Sequence, residues 1–261
     1  MDISVVHTVF FSPTHTSLTI ADAIADGMKI PERKVWDITY EKPAADVIIE
    51  DGIAVIAVPV YGGRVAETAV ERLLSVRGNG IPAVISVVYG NRDYEDALIE
   101  LRNLVKKQGF IPVSGAAFIG EHSYSRPDRP VAEGRPDKKD TDTAFAFGSD
   151  TADFLKGWSG DFADLHVKGN FPYKTKGAKT PQTPVTVEEL CTQCGYCIEI
   201  CPTQAIELQD EIVSDPGPCI KCCACVKECP NQARIFETPF TDYLFQNFSS
   251  RRDPELFFSW K

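Results

Sequence analysis

The first 190 residues contain no cysteine, although the 261-residue chain holds nine. A fold of that size does without disulfide staples, because a core of about 150 residues buries roughly 70% of the surface its unfolded chain exposes. An excess of basic charge is also missing: the formal net charge is -10 and the isoelectric point lies near 5.0. With no basic surface to hold a phosphate backbone, nucleic acid is not the expected partner. No run approaches the roughly 18 apolar residues of a membrane span. The first ten residues carry Asp2 and no Lys or Arg, so they lack the basic start of a secretory signal and read as a strand. The expected compartment is the reducing cytoplasm, where clustered cysteines bind metal more often than they form disulfides.

What is present divides the chain in the same way. Residues 184–237 hold nine acids against three bases, residues 1–183 hold 25 against 21, and the stretch from Thr238 is neutral. Such an acidic module either steers docking to a basic partner or serves solubility alone. The expected layout is one domain over 1–158, a linker over 159–183, a small domain over 184–237 and an aromatic tail over 238–261.

Within 1–158, apolar β-branched runs alternate with helical patterns. Ile3 to Phe11 fits a strand buried on both faces and ends at Ser12-Pro13. Leu18, Ile20, Ala21, Ile24, Ala25 and Met28 recur at helical spacing, with Gly27 near the end. Further strands are expected at Lys34 to Ile38, Ile53 to Val60, Pro82 to Val88 and Phe110 to Ile119. Helices are expected at about Glu67 to Val76, Asp93 to Gln108 and Thr143 to Leu155, the last after a loop over 121–140 rich in Pro and charge. The alternation predicts an α/β domain with a five-stranded doubly wound parallel sheet, since parallel strands need crossovers that cover both faces.

Ligands in such sheets bind beyond the carboxyl ends of the strands. The turn Ser12-Pro13-Thr14-His15-Thr16-Ser17 lies there and leads into a helix N-terminus. It offers backbone N–H groups, hydroxyls and a helix dipole, which suit either a phosphate or a plain helix cap. Tyr61 and Tyr89 each precede a glycine at a strand end, where an aromatic plane can stack on a flat ring or simply pack.

The cysteine block is the most specific signal. Cys191-x-x-Cys194-x-x-Cys197-x-x-x-Cys201-Pro202 is repeated 28 residues later as Cys219-x-x-Cys222-x-x-Cys225-x-x-x-Cys229-Pro230. The duplication continues into Gln204-Ala205 and Gln232-Ala233. Two-residue spacings let three thiolates converge on one face of a cubane cluster, and soft thiolates suit iron–sulfur chemistry. The fourth cysteine of each run ligates the other cluster, so the expected sets are crossed. One takes Cys191, Cys194, Cys197 and Cys229; the other takes Cys219, Cys222, Cys225 and Cys201. A pair of structural zinc sites is the alternative, against which the doubled pattern with both prolines argues. Short apolar segments at Pro184 to Val187, Ala205 to Leu208, Glu211 to Ser214 and Ala233 to Phe236 predict small paired strands around two short helices. Cys223, which aligns with Gly195, is expected to be a non-ligand; a redox-active thiol would need access and a lowered pKa.

The Ser12–Ser17 turn, the loop Pro59-Val60-Tyr61-Gly62-Gly63-Arg64 and the loop Val88-Tyr89-Gly90-Asn91-Arg92 together resemble a flavodoxin-like domain. Most of the chain resembles the bacterial and archaeal family in which that domain is fused to a two-cluster [4Fe-4S] ferredoxin. The resemblance implies FMN, with its phosphate at Ser12, Thr14, His15, Thr16 and Ser17 and its ring between the Tyr61 and Tyr89 loops. His15 stands where such turns usually carry Gly.

The linker is locally basic at Lys168, Lys174, Lys176 and Lys179, as a solvated connection or as a strip against the acidic module. Phe240, Tyr243, Phe245, Phe248, Phe257, Phe258 and Trp260 are too much aromatic surface to leave in water. They are expected to pack across the domain boundary, or alternatively to form a homodimer or partner contact. His122 follows the fifth strand and can face the flavin as a proton donor; His7 and His166 read as structural.

The expected function is electron transfer between FMN and two [4Fe-4S] clusters and on to a redox partner protein or small acceptor, in an anaerobic setting. Two alternatives stand beside it: a flavin-dependent reductase of a small substrate fed by the clusters, and a cluster protein without FMN.

Overall fold

The structure, a computed structural model, describes residues 3–158, 161–178 and 180–260. Asp2 at the amino terminus and Lys179 of the basic strip lie outside the described residues.

In chain order the first part forms β1 (Val5–Phe10), α1 (Thr16–Met28), β2 (Glu32–Asp37), β3 (Val47–Ile49), β4 (Ile53–Tyr61), β5 (Arg64–Val65), α2 (Glu67–Leu73), β6 (Val76–Gly78), β7 (Pro82–Tyr89), α3 (Ala97–Lys107), β8 (Ile111–Ile119) and α4 (Lys138–Leu155). The longest apolar runs make the centre of the sheet. β1 and β7 are buried at every position, as strands covered on both faces must be. The parallel strands lie in the order β2-β1-β4-β7-β8. The order reverses at β1, which puts a topological switch point at the carboxyl ends of β1 and β4.

The remaining elements are β9 (Val185–Thr186), a 3-10 turn (Glu188–Leu190), α5 (Tyr196–Glu199), β10 (Ile206–Leu208), β11 (Ile212–Ser214), α6 (Ala224–Lys227), β12 (Arg234–Ile235), α7 (Pro239–Phe248) and β13 (Glu255–Phe258). β10 pairs with β11 and β12 with β9, both antiparallel, around the two short helices.

The sheet has more strands than the alternation predicts. β13 pairs antiparallel with β8, from Glu255 opposite Ala117 to Phe258 opposite Ser114, and β5 folds back on β4. The parallel five become part of a seven-stranded sheet. Alternation along the last strand explains why: Phe257 joins the core on one face, while Leu256 and Phe258 join the core on the other. Trp260 stacks on Phe154 at 3.9 Å between ring centroids, and Phe258 meets Phe147 at 5.2 Å. Part of the aromatic tail thus completes the first domain, whereas Phe240 and Tyr243 on α7 remain exposed.

Three helix boundaries move for local reasons. α2 stops at Leu73, and Val76–Gly78 forms a strand parallel to β3. α3 starts at Ala97, because Glu95 is held at φ 43° and Asp96 at the N-cap turns its carboxylate outward to the linker. α4 begins at Lys138, because Asp137 and Asp140 form a reciprocal capping box. Gly27 is inside α1 rather than a stop signal. A Cβ there would lie 1.9 Å from the Phe145 carbonyl oxygen, and one at Gly148 2.0 Å from that of Ile24, so the two glycines let α1 and α4 touch backbone to backbone.

The linker folds back onto the first domain. Asp96 is 2% exposed, and its carboxylate accepts the backbone N–H groups of Asn170 at 2.8 Å and Lys174 at 2.6 Å. Lys174 Nζ pairs with Glu95, Lys176 Nζ with Glu67, and Lys168 Nζ with Glu255. These described lysines therefore answer carboxylates of the first domain and the tail, not the acidic module.

Candidate functional site

A cleft of about 390 Å³ opens at the carboxyl ends of β1, β4, β7 and β8. Thr14, Thr16, Pro59, Val60, Tyr61, Gly62, Gly63, Tyr89, Gly90 and Arg92 line it. Four other expected residues face elsewhere: Ser12, His15, Ser17 and Asn91 do not line this cleft.

Each of those four has a different task. The Ser12 Oγ accepts the Leu18 N–H at 3.0 Å, and the Ser12 N–H donates to Thr39 Oγ1 at 2.8 Å, so Ser12 fixes the turn from inside. His15 sits at φ 61°, the left-handed region a glycine adopts freely, and holds the α1 N-cap position. Its half-exposed ring points to the neighbouring groove, with Nε2 4.0 Å from Glu228 Oε1. Ser17 is fully buried and its hydroxyl has no partner among the described residues. Asn91 Nδ2 donates to the carbonyls of Phe248 at 2.6 Å and Ser250 at 2.8 Å, tying the tail to the cleft's edge.

The turn is suited to an anion. The Leu18 N–H is taken by Ser12 Oγ and that of Thr19 by the His15 carbonyl at 2.9 Å. Among the described residues no partner is found for the N–H groups of Thr16 and Ser17, the first two of α1. Two free amides at the positive end of a helix, beside the Thr14 and Thr16 hydroxyls, are a donor set that fits a phosphate.

The two tyrosines are not equivalent. Tyr89 is 3% exposed and packs on Tyr94 at 5.4 Å, so only its edge borders the cleft. Tyr61 is half-buried in the wall, and burial next to Cys222 and Cys223 pushes its hydroxyl far above the usual range. Gly62 has φ 64° with open space around a would-be Cβ, which lets a ligand approach its backbone.

Glu121 and Ser123, in the strand-end loop expected from the sequence, line the opposite wall, and so do Tyr124, Lys174, Ile220, Lys221 and Phe240, which the sequence does not mark for it. They come from the β8 loop, the linker, the cysteine-rich lobe and α7, segments that only folding brings together. Arg92 pairs with Glu95 at 2.6 Å, which pairs with Lys174 at 2.5 Å, so the expected Arg92 is part of a charged rim.

His122 lines the cleft. Its Nδ1 accepts the Tyr124 N–H at 3.0 Å, which leaves Nε2 carrying the proton in the neutral ring. Burial, with Lys227 and Arg92 nearby, pushes its pKa down to about 4. The ring is therefore a neutral hydrogen-bond donor at pH 7, not an imidazolium acid.

The cysteines gather around two small cavities. One is lined by Cys191, Cys194, Cys197 and Cys229, the other by Cys201, Cys219, Cys222 and Cys225 together with Cys223. The Cys201 Sγ accepts the Ala205 N–H at 3.2 Å and the Cys229 Sγ that of Ala233 at 3.3 Å, the same contact in both halves of the repeat. Four soft thiols around each space fit a cluster larger than one ion. Among the described residues no three His, Cys, Asp or Glu side chains close on a single metal ion. Between the cavities lies Arg234, 2% exposed, whose Nη1 donates to Thr186 Oγ1 at 2.6 Å and whose Nη2 donates to the Pro184 carbonyl at 3.0 Å. Its Nε has no hydrogen-bond partner among the described residues. Burial pushes the free Cys225 thiol up to about 11, against the pull of Arg234.

Cys223 is 1% exposed and takes φ 58° where its counterpart Gly195 has φ 79°. Burial and the neighbouring Cys222 and Cys225 push its thiol well above the ordinary range. Access and a lowered pKa, which a redox-active thiol requires, are both missing.

The family model described as "4Fe-4S binding domain" matches residues 184–207. No curated protein gives a match. Among solved structures, the chain is similar to a flavodoxin from the domain Archaea, at 15% identity over 58% of this chain and 99% of that one, with a TM-score of 0.38. It is also similar to a flavodoxin of Streptococcus pneumonia TIGR4, at 16% identity over 58% of this chain and 99% of that one, with a TM-score of 0.41. A Fusobacterium nucleatum flavodoxin mutant bound to flavin mononucleotide is 14% identical over 60% of this chain and 98% of that one, with a TM-score of 0.39.

Proposed function

We propose that the protein is an electron carrier that holds FMN in the strand-end cleft and two [4Fe-4S] clusters in the cysteine cavities. The observation that carries this reading is the grouping of the cysteines around two cavities, one holding Cys191, Cys194, Cys197 and Cys229 and the other Cys201, Cys219, Cys222 and Cys225 with Cys223 beside them. Bound together, the groups would couple the two-electron chemistry of a flavin to the one-electron chemistry of clusters.

The chain's own residues have defined tasks in this reading. Thr14, Thr16 and the free amides at the start of α1 hold the phosphate. The Gly62 backbone approaches the ring, and His122 offers a fixed Nε2–H donor. Tyr61 and Tyr124 form part of the wall beside the ring. Ala205 and Ala233 N–H groups steady one sulfur in each set.

A flavin-dependent reductase of a small substrate is the second reading, favoured by the polar Arg92, Glu121, His122 and Ser123 around the cleft. Anaerobic purification of the full chain with iron, sulfide and FMN assays tests both. Two clusters' worth of iron with one FMN per chain supports the proposal, and iron without flavin removes both readings. Turnover of small electron acceptors in preference to carrier proteins would select the reductase.

A further inference from the structure

The two cysteine cavities differ in their relation to the cleft. Ile220, next to Cys219 in sequence, lines both the cleft and the cavity of the Cys201, Cys219, Cys222 and Cys225 set. Tyr61 and Tyr124 also line the cleft, while Cys222 and Cys223 line that cavity. Tyr124 is itself held edge-on by His122 at 5.1 Å and Phe236 at 4.9 Å. Two polar contacts clamp the junction: Arg72 Nη2 donates to the Pro202 carbonyl, beside Cys201, at 2.5 Å, and Lys227 Nζ donates to Glu121 at 2.5 Å. The other cavity shares no lining residue with the cleft, and its Cys194 is exposed.

We infer that the Cys201, Cys219, Cys222 and Cys225 site is the one that exchanges electrons with the cleft, through a wall of Ile220, Tyr61, Tyr124 and Cys223, and that the Cys191 set is the outer station met by an external one-electron carrier protein. The inference rests on the proposed function. Two single electrons through the wall, with two protons from solvent, balance one two-electron reduction in the cleft; the external carrier is oxidised twice. The order follows from contact: electron exchange weakens steeply with distance, and one set borders the cleft while the other faces water.

The test is the microwave power saturation of the one-electron-reduced flavin's EPR signal in the full chain, since a nearby paramagnetic cluster speeds its relaxation. Cys194→Ala, which removes a ligand of the outer set, is expected to retain the fast relaxation. Cys222→Ala is expected to lose it. The reverse pattern overturns the order. Should a variant fail to fold, stepwise removal of iron from the unmodified protein by a chelator replaces it. The exposed set is expected to go first, with the fast relaxation intact at half the iron; loss of the relaxation at that point overturns the order. Absence of flavin or of iron from the purified chain would instead defeat the proposed function itself.

Discussion

Lys227 Nζ and Glu121 Oε1 meet at 2.5 Å, joining α6, the short helix that holds Cys225, to the loop that leaves β8. Glu121 lies beside Thr14 and Thr16, where the phosphate is proposed to bind. An unpaired carboxylate there would repel an anion, and Lys227 cancels it from the second domain. Lys227→Met is expected to weaken FMN binding roughly tenfold, about 1.4 kcal/mol. Lys227→Met combined with Glu121→Gln is expected to recover most of it. Quenching of flavin fluorescence on titration measures both.

His122 makes stability depend on pH in a defined window. Its pKa falls from 6.5 to about 4 on folding, so above pH 6.5 the ring is neutral in both states. As pH falls from 6.5 toward 4 the unfolded chain takes up a proton that the folded chain refuses, and stability is lost across that window. The loss amounts to about 3 kcal/mol at about 1.36 kcal/mol per unit. Denaturant titrations of the wild type and His122→Gln between pH 7 and pH 4 are expected to show a shallower slope in the variant.

Asp96 anchors the linker through the N–H groups of Asn170 and Lys174. Burial pushes its carboxyl up, but the hydrogen bonds from Lys174 and Asn170 outweigh it and hold the pKa below the usual range. The stabilisation is present above the ordinary carboxylate range and is lost as pH falls through the depressed value. Asp96→Asn is expected to cost about 2 kcal/mol and to speed proteolytic cutting in the segment 168–177. Unchanged cutting would contradict the anchoring role.

Arg234 places a buried positive charge against both cysteine sets. A fixed cation favours the more negative, reduced state of a cluster. Arg234→Met is expected to lower the potentials of the proposed clusters in a redox titration, and Arg234→Lys to restore part of the difference. Loss of iron from Arg234→Met but not from Arg234→Lys would point to the hydrogen bonds to Pro184 and Thr186 as its main contribution.

Gly148 faces the Ile24 carbonyl where α4 crosses α1. A methyl group meets backbone that has no room to shift, so Gly148→Ala is expected to destabilise the first domain by about 2–3 kcal/mol or more. Thermal unfolding should show this while iron content stays unchanged.

The sequence by itself determined the parallel strands and showed the duplicated cysteine runs. Strands such as Pro82–Tyr89 are covered on both faces and read as unbroken apolar runs, and a duplicated four-cysteine motif carries its ligand chemistry in its spacing. The polar strand-end loops with Thr14, Tyr61 and Arg92 were legible for the same reason, since strand direction fixes the end at which loops gather. Tertiary structure alone decided the rest. Gly27 reads locally as a helix stop but serves a helix–helix contact, and Glu255–Phe258 reads as a loose aromatic tail but pairs with a strand more than a hundred residues earlier. Ile220 looks like a spacer between two ligands, yet it stands in the wall between the cleft and one cysteine cavity. Periodicity and spacing encode what a segment does with its own neighbours; which distant segments meet depends on how whole faces pack, and no single stretch of sequence contains that.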